Sequence, residues 1–253
     1  MSSEEQKQIE EETGEVEMSF LEHLEELRWR ILYSLFGVIA GTIIAWIFID
    51  FIVDTVLLRP AITSGIKLQN LKPFGQLFLY FQIAIIGGVI LSIPNIFLQI
   101  WKFISPALKS SERKYVTAVV TFSTLCFLCG IVFAYFVMLP MTLSFAAQFG
   151  SEQIENNFAI DEYFSIIISV MLAAGVVFEL PMLSFFLSKL GILTPRIMRK
   201  YRRHSIVAIM FAAAILTPGT DPVAQVLLAV PLVLLYEISI LVSKIFSKKS
   251  ATS

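Results

Sequence analysis

Glu179 poses the sharpest chemical question in this sequence, because it lies inside the apolar run from Tyr163 to Ser188. A carboxylate at membrane depth is unstable unless it is protonated, paired or hydrated. Pro181 follows two residues later and deprives the carbonyl of Val177 of its helix donor, which adds a second polar group at the same level. One reading is a protonated acid bonded to a neighbouring helix. The other, favoured because acids within spans tend to mark pathways, is exposure to a water-filled or partner-facing cavity. Elsewhere the acids stand next to charged segments. Glu25 and Glu26 precede the first apolar run, and Glu112 sits alone among Lys109, Arg113 and Lys114. By composition these are solvated surface charges. Glu237, near the end of the last apolar run, can snorkel to the interface.

The motifs of enzymes are missing. There is no H-E-x-x-H, G-x-S-x-G, phosphate loop or dinucleotide fingerprint, and His23 and His204 are far apart. Cys126 and Cys129 form a C-x-x-C, but within an uncharged run that lacks the electropositive setting thiolate chemistry needs, so helix packing is expected. The chain is therefore read as a non-enzyme with no cofactor and no metal.

The elements that hold these residues are apolar helices. Hydrophobic residues make up 57% of 253 and charged ones 15%, with a mean hydropathy of +0.78. That is more apolar surface than one soluble core can absorb. Net charge is −1, which gives no field for nucleic acid. The fold class expected is an all-α integral membrane protein with six transmembrane helices. The spans are read at 31–53, 74–101, 116–139, 163–188, 205–216 and 223–242, because about 20 apolar residues cross a bilayer core. Residues 1–17 are read as a disordered acidic tail, 18–243 as one transmembrane domain and 244–253 as a cytoplasmic tail. A short amphipathic helix is expected to start at Ser19, where Ser19-Phe20-Leu21-Glu22 fits a capping box. With ten acids in residues 1–30 and no apolar signal core, the first apolar segment is expected to be retained as a span. Thr217-Pro218-Gly219-Thr220-Asp221-Pro222 makes the last two helices a short hairpin.

Sixteen of the nineteen lysines and arginines fall before the first span, between spans two and three, between four and five, or in the tail. The positive-inside rule then predicts both termini in the cytoplasm. Within the spans, Gly37-x-x-x-Gly41 is a close-packing motif. Gln82 and Gln99 are polar positions able to bond across helices.

Several uncommon motifs occur together and in order: His23-Leu24-Glu25-Glu26-Leu27-Arg28, Trp101 through Leu108 (WKFISPAL), Ser111-Glu112-Arg113-Lys114, Phe133-Ala134-Tyr135-Phe136, Phe178-Glu179-Leu180-Pro181, Leu216-Thr217-Pro218 with Asp221, and Pro231 with Tyr236-Glu237-Ile238. From His23 to Ile245 the chain resembles the TatC family, the multispanning core of the twin-arginine protein export system. The resemblance implies a receptor for paired-arginine signal peptides in the cytoplasmic (inner) membrane. It also implies export of folded proteins on the proton-motive force, with TatA-type and TatB-type single-span subunits as partners and self-association in a larger complex. Signal-peptide binding is then expected at Glu26, Arg28, Phe103, Pro106, Glu112 and Arg113. Contact with partner helices falls to Glu179 and Pro181, and Asp221 lies in the outer hairpin. Carboxylates suit that task because a guanidinium bonds them with a two-pronged fork that lysine cannot reproduce. Gly75 and Gln82 depart from the acid and lysine common at those places in the family. The rival reading is a proton-coupled secondary transporter using Glu179, against which the halves show no self-similarity.

Overall fold

The computed structural model describes residues 20–107, 116–148, 157–189, 191, 193–216 and 222–247. Helix α1 (Phe20–Ile47) runs without a break through the segment read as a separate amphipathic helix, since no proline or glycine interrupts it before Gly37. A π-helical segment, Phe51–Leu57, leads to α2 (Arg59–Thr63). Strand β1 (Lys67–Gln69) precedes the long α3 (Gly75–Ile104). Helix α4 (Val116–Phe133) continues through a π turn, Ala134–Met138, into α5 (Leu139–Gln148). Strand β2 (Asn157–Ala159) pairs in parallel with β1, Leu68 opposite Phe158. This short pairing is an addition to the expected all-helical architecture.

The span read at 163–188 is two helices, α6 (Ile160–Val177) and α7 (Leu180–Lys189). The cause is Pro181, which cannot donate to the Val177 carbonyl, so the chain turns at Phe178 and Glu179. There the Glu179 N–H bonds Val176 instead, at 3.2 Å. The short α8 (Pro195–Lys200) starts on a Thr194 cap, whose hydroxyl accepts from the Ile197 N–H. Helices α9 (Arg202–Leu216) and α10 (Pro222–Ser247) complete the order.

Among the described residues, four helical stretches are long and apolar enough to cross a membrane: Leu21–Ile47, Gly75–Ile104, Val116–Gln148 and Ile160–Ser188. Of the first, only Gly41 and Ala45 are buried. Phe36, Ile43 and Ile47 on it are exposed, as expected for a helix in lipid rather than water.

Helix α1 packs on α3 through small residues. A Cβ on Gly41 would lie 2.6 Å from the Gly88 carbonyl, and one on Gly88 would lie 2.2 Å from the Thr42 hydroxyl. The backbones approach so closely that Ser92 donates to the Gly37 carbonyl at 2.6 Å. The main core gathers Leu139, Leu143, Tyr163, Phe164 and Ile167 toward the strand-bearing end. A smaller one joins Trp101, Val119, Val120 and Met182 toward the opposite end.

Two tyrosines, Tyr163 buried and Tyr135 partly so, mend the backbone where α2 begins. Pro60 has no N–H for the Val56 carbonyl, and the Tyr135 hydroxyl donates to it at 2.8 Å. Tyr163 stands between Leu57 and Ala61: its hydroxyl donates to the Leu57 carbonyl at 2.7 Å and accepts from the Ala61 N–H at 3.0 Å.

Candidate functional site

The amino-terminal end of α1 meets the carboxy-terminal end of α3 in a polar seam. Helical spacing puts His23, Glu26 and Arg30 on one face of α1, and Asn95, Gln99 and Phe103 on one face of α3. The imidazole of His23 stacks on the Phe103 ring, with centroids 4.3 Å apart and planes 17° from parallel. One turn further in, Arg30 donates to Oε1 of Glu26 from Nη2 at 2.9 Å and from Nε at 3.3 Å. Its Nη1 donates to the Gln99 side-chain carbonyl at 3.2 Å. Gln99 donates to Asn95, and Asn95 to the Tyr33 carbonyl. Oε2 of Glu26 is buried and has no hydrogen-bond partner among the described residues. A carboxylate oxygen left so is an acceptor awaiting a donor.

Of the residues read as a signal-peptide site, the structure brings Glu26 and Phe103 to this seam, on either side of its His23 and Arg30 rungs. Arg28 is exposed on α1. Pro106 lies in the 3₁₀ turn Ser105–Ala107 that ends α3. Glu112, Arg113 and Asp221 lie outside the described residues. Gln99 bonds across helices as its polarity suggested. Arg30 and Asn95 were not singled out. The i,i+4 spacing of Glu26 and Arg30 was the available signal for the arginine.

Glu179 sits at the α6–α7 break, 8% exposed. Its Oε1 has no hydrogen-bond partner among the described residues. Further along α7, Ser188 donates to Ser243 of α10 at 2.6 Å in a buried contact. Glu237 pairs with Arg202 across the α9–α10 hairpin, and Tyr236 donates to the Met198 carbonyl at 2.9 Å. The glutamate read as snorkelling has an arginine partner on the neighbouring helix.

At the strand-bearing end a cavity of about 620 Å³ is lined by Lys72, Phe74, Phe78, Gln82, Asp161 and Glu162. Lys72 pairs with Asp161 across it. That hydrogen bond, reinforced by the Asp161 charge, holds the ammonium above the usual lysine range. A Cβ on Gly75 would lie 2.7 Å from Asn70 Oδ1, so a side chain there would displace that exposed asparagine. Among the described residues no group of His, Cys, Asp and Glu is placed to hold a metal ion. Cys126 and Cys129 are unpaired, the first partly buried and the second exposed.

The family model described as "Sec-independent protein translocase protein (TatC)" matches residues 22–231. The chain is 36% identical over 232 residues to a TatC protein of Carboxydothermus hydrogenoformans, covering 92% of this chain and 95% of that one. It is 36% identical over 236 residues to a TatC protein of Aquifex aeolicus, covering 92% and 97%. The TatCy protein of Bacillus subtilis matches at 33%, covering 94% and 93%. A crystal structure described as the twin arginine translocase receptor TatC superposes with a TM-score of 0.79 at 36% identity, covering 89% of this chain and 99% of that one. With its apolar helices, its small-residue crossings and relatives matched along nearly their whole length, the chain belongs to the TatC family of Sec-independent protein translocase proteins.

Proposed function

We propose that this protein is the signal-peptide receptor and core subunit of a twin-arginine translocase in the cytoplasmic membrane. It would export folded proteins on the proton-motive force with TatA-type and TatB-type partners. The observation that carries the reading is the buried, unpartnered oxygen of Glu26 beside the flat His23–Phe103 stack. An acidic acceptor next to an aromatic face suits a guanidinium, which hydrogen-bonds in plane and stacks on its faces. Six spans with both termini cytoplasmic put this seam and the loop bearing Glu112 on the side where signal peptides arrive. Among the described residues, four helical stretches have the length and composition to span, and α10, at 26 residues, has the length. The 15-residue α9 is shorter, about 22 Å against a core of about 30 Å, and its pairing with α10 shields it.

Photocrosslinking of a twin-arginine peptide to membranes carrying the wild type, Glu26→Ala or Glu112→Ala tests the assignment. Capture should fall about tenfold or more in either variant, as loss of a charge-assisted fork implies. Undiminished capture in both would sink it. The transporter reading is favoured by one observation, the buried Glu179 oxygen without a partner. Proton-coupled solute uptake by the purified protein alone in liposomes would support that reading instead.

A further inference from the structure

We propose that Arg30 sets the site's preference for arginine over lysine by occupying one oxygen of Glu26 and leaving the other as a directional acceptor. The inference rests on the receptor reading above. Two nitrogens of Arg30 converge on Oε1, and the third is tied to Gln99. Gln99 is held by Asn95, and Asn95 by the backbone of α1 at Tyr33. The guanidinium is therefore fixed from both helices and is no loose surface pair; the Arg30 and Glu26 side chains keep only 26% and 17% of their exposure.

That arrangement changes what an incoming cation gains. Glu26 and Arg30 together carry no net charge, so a bare point charge is drawn to the carboxylate and repelled by the guanidinium beside it. An ammonium offers little beyond that charge. A guanidinium that displaces what covers the buried Oε2 offers it planar N–H donors, and a flat face for the His23–Phe103 stack. His23 is three residues before Glu26 on α1, and Phe103 is four after Gln99 on α3, so stack and carboxylate are adjacent rungs of one seam. Neutralising Glu26 thus suppresses selection by charge and leaves selection by shape and hydrogen-bond direction. Without Arg30, Glu26 would be an uncompensated anion open to either cation.

The test is equilibrium binding of labelled signal peptides, one with Arg-Arg and one with Lys-Lys at the motif, to the full chain in lipid nanodiscs. Wild type should prefer Arg-Arg. In Arg30→Gln the Lys-Lys peptide should bind more tightly and the preference ratio fall about fivefold or more, with steeper salt dependence of Lys-Lys binding. Arg30→Lys, which keeps the neutralising charge, should restore most of the ratio. Gln99→Leu, which frees Arg30 from its anchor, should lower the ratio in part and gives a second route if Arg30→Gln fails to fold. Equal weakening of both peptides, with the ratio unchanged in both Arg30→Gln and Gln99→Leu, would show a merely structural arginine and overturn the proposal. A wild type without any Arg-Arg preference would overturn the receptor reading as well, a result distinct from the first.

Discussion

Leu57 and Ala61 are four residues apart, where an unbroken helix would bond one to the other directly. Instead the Tyr163 hydroxyl stands between them, bonded to both. Tyr163→Phe would leave that buried carbonyl and N–H without partners, and should cost about 1–3 kcal/mol. A thermal melt in detergent should register the loss as a lower Tm with the fold retained. Glu179 behaves differently, because its burial is a cost and not a support. Glu179→Leu should leave Tm unchanged or raise it, since an apolar side chain removes an imperfectly paired acid. Glu179→Ala should impair transport or partner contact while leaving peptide capture largely intact. A lowered Tm in the leucine variant, or lost capture in the alanine variant, would contradict this division of roles. Glu179 was legible in the sequence because one acid in a long apolar run has few explanations. Tyr163 was not, since its hydroxyl acts on residues more than a hundred positions away. Arg30 falls between: the spacing from Glu26 was visible, but its bond to Gln99 depends on how two helices meet.

Among the elements, the crossing of α1 and α3 is the most tightly specified. The atoms that a side chain at Gly88 would strike include the Thr42 backbone, which cannot rotate away. Gly88→Leu should therefore destabilise by at least about 1–3 kcal/mol, or prevent accumulation in membranes, as an immunoblot would show. Normal accumulation and Tm would mean that the crossing is looser than described. The G-x-x-x-G of α1 pointed to close approach, but its partner residues on α3, Gly88, Ser92 and Asn95, have no comparable sequence signature. Helix existence was readable from apolar length alone. Boundaries were less so: α1 begins well before its apolar run, and α10 extends past its own, because helical hydrogen bonding does not stop where lipid does. The break between α6 and α7 follows from the missing N–H of Pro181, whereas apolar length alone makes the two helices one span.

At the level of the whole molecule, the two ends are held by different means. The strand-bearing end has the β1–β2 ladder and the Lys72–Asp161 pair. Folding raises the Lys72 pKa above its ordinary 10.5. The pair's contribution is therefore complete below that value and disappears as pH climbs through the higher folded one. Lys72→Met should lower Tm at pH 8, and the gap to wild type should close as pH climbs past the raised value of the folded lysine. A gap that persisted there would assign the effect to lost packing. The opposite end is closed among the described residues by side chains: His23 on Phe103, Arg30 on Gln99, Arg202 on Glu237 and Ser188 on Ser243.

Backbone ladders have no rotamers to exchange, whereas each of those side-chain ties can let go and re-form on another partner. The three-residue strand pairing thus joins two segments some ninety residues apart through backbone hydrogen bonds, a tie that exchange of the side chains on either strand leaves standing unless a proline removes a donor.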